Sequence, residues 1–174
     1  MRIVLAAGFA LALMACGEKP APESATTPAP ETAAATAPAA RPVDAAAWAA
    51  HVPWKSDGPD VKKSGSGMEY IVLASGPAEG VAPTAAQRAE VFYEGRLNAG
   101  GPAFDSAFER GESATFPVAR VVPGFSEALK LMKPGDRWLV FIPSALGYGP
   151  EGTPDGTIPP NADLVFEIEM VAVH

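Results

Sequence analysis

An α+β fold, a curved antiparallel sheet wrapped around one short helix, is expected from three observations. Residues 68–174 contain several short runs of β-rich or alternating composition, separated by Gly, Pro and Asp turn signals. One stretch there has helical spacing, with Phe125, Leu129 and Met132 on a single face. A helix with one apolar stripe buries one side only, so it should lie against one face of the sheet.

The elements follow in order. Glu69-Tyr70-Ile71-Val72-Leu73 is a β-rich run ended by Ser75-Gly76-Pro77. From Arg88 to Leu97, Ala89, Val91, Tyr93 and Leu97 alternate with Arg88, Glu90, Glu94 and Arg96. That is the period of a half-buried strand, although Phe92 falls on the charged face. Ala114 to Val118 is a short strand, and Val122-Pro123-Gly124 opens the helix. Pro134-Gly135-Asp136 is a turn, followed by a strand from Arg137 to Ile142. The last strand, Leu164 to Val173, sets Leu164, Phe166, Ile168 and Met170 against Glu167 and Glu169. Lys62-Lys63 and Ser64 to Gly67 read as a solvated loop ahead of the domain.

A length of 174 residues suits one domain with a tail. Arg2 supplies the only charge of residues 1–15, and the apolar run from Ile3 to Ala15 is too short for a spanning helix. It suits the apolar region of an export signal. Leu13-Met14-Ala15-Cys16 resembles the lipobox of bacterial lipoproteins, which implies cleavage before Cys16 and a lipid on its thiol. Cys16 is the only cysteine, so no intramolecular disulfide can form. A plain secretory signal with a chance cysteine is the alternative. Gly17, where that class places Asp for inner-membrane retention, favours the outer membrane, with the domain facing the periplasm.

Residues 16–47 are mostly Ala, Pro, Thr, Ser and Glu, which cannot bury enough apolar surface to offset ordering entropy. They read as a disordered tether that supplies reach, or alternatively as a peptide ligand for another protein. Residues 48–67 form an N-terminal extension before the domain at 68–174. Asp44 could cap a short helix, and Trp48, Val52 and Trp54 pack on the domain or contact a client.

Several function classes drop out. A net charge of −7 gives no basic footprint for nucleic acid. Ser106 and Ser144 lack a plausible base, which rejects serine hydrolase chemistry. His51 and His174 have no neighbouring Cys or acidic cluster, so no metal is expected. The glycines follow no phosphate-loop spacing, and no cofactor is implied.

What remains is an ordered set of aromatic residues, turn formers and one acid: Val91 to Gly95, Phe104-Asp105-Ser106, Phe108 to Glu112, Val122 to Phe125, Leu146 to Gly149, Ile158 to Ala162 and Leu164 to Phe166. These residue types suit an apolar cup that binds and twists a peptide bond. In order and spacing the segments resemble the FKBP-type peptidyl-prolyl isomerases over residues 68–174, bearing in mind the lipobox, in a bacterial lipoprotein form. The resemblance implies proline-containing polypeptides of the cell envelope as partners, macrolide inhibition, and a sheet wrapped around a single helix. A non-catalytic chaperone or peptide-binding module using the same cup is the alternative. Members that dimerise do so through long N-terminal helices, which this Pro-rich region lacks, so a monomer is expected.

The resemblance also assigns roles. Tyr93 lines the cup and reaches Asp105 with its hydroxyl, and Tyr148 donates to a substrate carbonyl; these three are the catalytic candidates. Phe104 and Phe166 are walls, Phe116 lies deeper, and Phe125 is the floor. Val121 and Val122 border the ligand, with Val122 offering a backbone amide, and Ile158 closes one side. Arg110 keeps Asp105 ionised and oriented. The family most often has Trp where Phe125 stands, which implies a roomier, shallower base.

Overall fold

The computed structural model describes residues 42–174. The export signal over 1–15, Cys16 and the tether up to residue 41 lie outside the described residues.

Antiparallel pairing throughout builds one sheet. Its strands are β1 (Lys62–Lys63), β2 (Glu69–Ala74), β3 (Arg88–Leu97), β4 (Asp105–Ser106), β5 (Ala114–Pro117), β6 (Arg137–Ile142) and β7 (Leu164–Val173). The order is β1-β2-β6-β7-β3-β4, and β5 also pairs with β3. Lys62 and Lys63 thus form an edge strand against Tyr70 and Glu69, where the sequence read as loop. Charged lysines suit an exposed edge, which they protect from pairing with other chains. Register shifts at Val72/Ala74 and at Glu90/Val91 mark irregularities of the kind that bend a sheet.

Among the described residues three α-helices accompany the sheet, two of them short. The Asp44 carboxylate caps α1 (Ala45–His51) by accepting from the Ala47 N–H at 2.9 Å. Ser106 caps α2 (Ala107–Arg110), which ends at Gly111 in the left-handed region, φ 70°. Pro123 opens α3 (Pro123–Leu131), where its missing N–H costs nothing.

Alternation along the strands sorts the core onto two faces. On one, α3 buries Phe125, Ala128 and Leu129 with Val140, Ile142, Leu164, Phe166, Ile168 and Met170. The α3 backbone comes close because Gly124 has no side chain: a Cβ there would lie 2.5 Å from Ile142 Cγ2. On the other face Trp48 and Trp54 pack on Ile71, Leu139 and Val165.

That second layer is an N-terminal strap, residues 42–54, and it explains two departures from the sequence-based expectation. Residues 45–47, assigned to the tether by composition, are the start of α1, with Ala47 and Trp48 buried. Glu167, expected on a polar face, is fully buried under the strap. It accepts from the Trp48 indole N–H at 2.7 Å, the Asp44 N–H at 3.1 Å and Arg137 Nε at 2.6 Å. The Trp54 indole likewise donates to Glu69 at 2.7 Å. The charged face of β3 is covered as well. Phe92 stacks on Phe108 of α2 with ring centroids 5.7 Å apart, and Glu94 is buried between Arg96 and the Ser106 hydroxyl. Buried carboxylates are tolerated because each has charged or polar donors in contact.

Candidate active site

Tyr93, Phe104, Asp105, Phe116, Arg120, Val121, Val122, Phe125, Tyr148 and Phe166 line a cavity of about 340 Å³. It opens beside the N-terminal end of α3. Strand β3 delivers Tyr93, β7 delivers Phe166, and β5 delivers Phe116. The loop before β4 carries Phe104 beside Asp105. The 3-10 turn Val118–Arg120 leads into Val121 and Val122, the latter the residue that precedes the first turn of α3. A helix start leaves backbone N–H groups without intrahelical partners, so the Val122 side of the cavity is a source of donors.

Aromatic edges meet faces around the floor. Phe125 packs edge-on with Tyr93, Phe116 and Phe166 at centroid distances of 6.1, 6.0 and 5.2 Å. Phe104 meets Phe166 at 5.6 Å and 83°. Such T-shaped contacts fix ring planes as well as positions. They depend on Gly95, which lies between Phe104 and Phe166. A Cβ at Gly95 would fall 2.5 Å from Phe104 Cζ and 2.6 Å from Phe166 Cε1.

The polar part is a three-member cluster. The Tyr93 hydroxyl donates to Asp105 Oδ2, and Arg110 Nη1 donates to Asp105 Oδ1. Arg110 Nη2 also donates to the Tyr93 oxygen at 3.4 Å. Burial alone would raise the pKa of Asp105, but the Tyr93 hydroxyl and Arg110 outweigh it and hold the carboxyl below its ordinary value. Burial, then the neighbouring Asp105, raises the Tyr93 phenol above its usual range. At neutral pH the cluster is therefore a carboxylate, a neutral phenol and a guanidinium. Tyr148 sits at the opening, 40% exposed, where its hydroxyl can meet an incoming chain.

Of the site residues expected from sequence among the described residues, all but two line the cavity. Arg110 contacts Asp105 and Tyr93 from outside it, the position the resemblance implies. Ile158 is buried in the core, its N–H bonded to the Thr153 hydroxyl at 2.9 Å, and it does not line the cavity either. Two further residues have no role in the sequence reading. Arg120 belongs to no motif, and Gly95 stands in the segment Val91 to Gly95 without a function of its own; a glycine inside a strand pattern is the one signal available.

Fold and cup together define a class. The model of the FKBP-type peptidyl-prolyl cis-trans isomerase family matches residues 79–171, and the chain belongs to that family. The peptidyl-prolyl cis-trans isomerase Mip of Coxiella burnetii is 44% identical over 115 residues, 66% of this chain and 48% of that protein. The crystal structure of FkpA from Escherichia coli matches with a TM-score of 0.62 at 38% identity, over 68% of this chain and 53% of that one. A peptidyl-prolyl cis-trans isomerase from Pseudomonas syringae gives the same TM-score and identity, over 68% of this chain and 84% of that one. The chain spans about half the length of the Coxiella relative it matches. The fold is the α+β FKBP fold shared by these structures.

Proposed function

We propose that this chain catalyses cis/trans interconversion of Xaa-Pro bonds in polypeptides of the cell envelope. One observation supports this above others: an aromatic cup with a single ionised acid at its side, and no nucleophile–base pair among the lining residues. Prolyl isomerisation needs no bond broken. The planar amide owes its rotation barrier to resonance that separates charge, and water stabilises the planar form. Enclosure by Phe104, Phe116, Phe125 and Phe166 withdraws that solvation, and a twisted amide with less charge separation loses less by it. Tyr148 and the Val122 amide are the donors for flanking carbonyls. Asp105, fixed by Tyr93 and Arg110, sets the field on the twisting bond. Asp105, Tyr93 and Tyr148 thus carry the catalysis, and the remaining lining residues shape the cup. Ile158 acts from behind, as packing.

The same proposal includes export by residues 1–15, a lipid on Cys16, a tether up to the strap, an isomerase domain at 68–174 acting as a monomer, and an outer-membrane location facing the periplasm. The apolar run, the single cysteine and its lipobox-like context support it.

The test is acceleration of cis/trans exchange in a short peptide with an apolar residue before proline, inhibited by a macrolide that fills the cup. Tyr148→Phe should lower the rate a few-fold, since one hydrogen bond contributes about 0.5–1.5 kcal/mol net. Asp105→Ala should cost more, because Arg110 also loses its partner. A folded wild type with no acceleration would replace the enzyme by a binding module using the same cup.

A further inference from the structure

We propose that Arg120 selects clients that carry an acidic side chain next to the proline, an inference that rests on the isomerase function proposed above. Two of the residues lining the cup are charged, Asp105 and Arg120. The Asp105 charge is already matched, since Arg110 and the Tyr93 hydroxyl both donate to its carboxylate. Arg120 has no counterpart: its guanidinium makes no hydrogen bond or ion pair with any described residue. It ends the 3-10 turn Val118–Arg120, directly before Val121 and Val122 at the edge of the cavity. The turn itself is anchored by buried Val118, whose N–H donates to the Gln87 carbonyl at 3.0 Å. Arg120 is exposed, so the fold does not depend on its side chain.

The cup therefore presents one unbalanced positive charge beside aromatic walls, in a chain whose net charge is −7. A peptide threaded through the cup extends past this edge on one side of its proline. An acidic side chain at that point gains the attraction of the guanidinium, and a basic one meets repulsion. The low-dielectric walls screen the interaction less than open water does. An amide of the same shape experiences neither effect.

The experiment compares kcat/KM for peptides identical except for Glu, Gln or Lys at the residue before or the residue after proline. At low ionic strength the wild-type protein should favour Glu over Gln about two- to five-fold at one of these positions, the span of an exposed ion pair, and disfavour Lys. The preference should shrink at about 1 M salt, where the Debye length falls to roughly 3 Å. Arg120→Gln should bring the Glu/Gln ratio to one, and Arg120→Glu should invert the order so that Lys is favoured. Ratios that are equal in wild type and Arg120→Glu, with the Gln peptides still accelerated, would overturn the selection by Arg120 and leave the isomerase function standing. No acceleration of any peptide would overturn both.

Discussion

Trp48→Ala should destabilise the folded protein by about 3–5 kcal/mol, the span for deleting a large buried aromatic side chain. Only 4% of Trp48 is exposed. An indole so enclosed removes roughly 200 Å² from water, on the order of 5 kcal/mol at about 25 cal/mol per Å². The alanine methyl retains a small part of that. Loss of the indole N–H to Glu167 adds about 1 kcal/mol and leaves a buried carboxylate one donor short. An opposing effect caps the total. The strap can lift away from the sheet and admit water to Glu167 and Arg137, so the loss cannot exceed the free energy with which the strap docks. For a folded region of this size each kcal/mol lowers Tm by roughly 3–4 °C, so a fall of about 10–20 °C is expected in circular dichroism melts. Trp48→Phe keeps most of the area and loses the hydrogen bond, and should fall by only about 3–5 °C. Trp54→Ala added to Trp48→Ala should cost less than it does alone, because a strap already released has little left to lose. Peptide isomerisation well below both melting points should change less than about two-fold, since Phe166 in the cup and Glu167 under the strap point to opposite faces of β7. A Trp48→Ala melt within about 2 °C of wild type would refute this account, and show that the strap adds nothing to the cooperative unit.

Three further outcomes are expected. Gly95→Ala should leave a folded protein with its isomerase activity severely reduced, because the new methyl displaces Phe104 and Phe166; near-normal turnover would show that the ring positions are not critical. The carboxyls of Asp105, Glu69 and Glu90 are all held below their ordinary values, so their stabilisation is complete above the unfolded pKa and disappears as pH falls through the folded one. The share of these three carboxyls should therefore be lost below about pH 4, against the opposite trend of Glu167, which burial holds above its ordinary value; Asp105→Asn should approach wild type at the acid end, where an unchanged difference would count against the cluster. Metabolic labelling with a palmitate analogue should tag wild type and leave Cys16→Ala unlabelled, whereas equal labelling of both would remove the lipid anchor.

The cup was legible in the sequence because its parts are local. Phe104-Asp105, Val122-Pro123-Gly124-Phe125 and Tyr148-Gly149 each carry a side chain beside the turn that aims it. Period-two alternation placed β3 and β7, and the turn signal at Pro134-Gly135-Asp136 placed β6. Alternation failed where a distant segment covers the outer face of a strand. Glu94 and Glu167 follow the pattern of exposed residues, and they are buried because α2 and the strap lie over them. Composition concealed the strap too, since the alanines of α1 continue the bias of the tether and only Asp44, Trp48 and Trp54 hint at an anchor. Gly95 and Arg120 have roles fixed by what stands across from them, and a single sequence does not display such relations.

The placement of the tryptophans has a spectroscopic consequence. None of the three lines the cup: Trp48 and Trp54 belong to the strap, and Trp138 is stacked on Tyr70 at 4.3 Å. The floor is Phe125, which absorbs and emits too weakly to compete with them. Tryptophan emission should thus be nearly silent when a ligand enters the cup, and should shift to the red when the strap peels away from Glu167. Ligand titrations of this protein need an extrinsic label or a nuclear resonance signal. In return, release of the strap can be followed optically with the cup fully occupied.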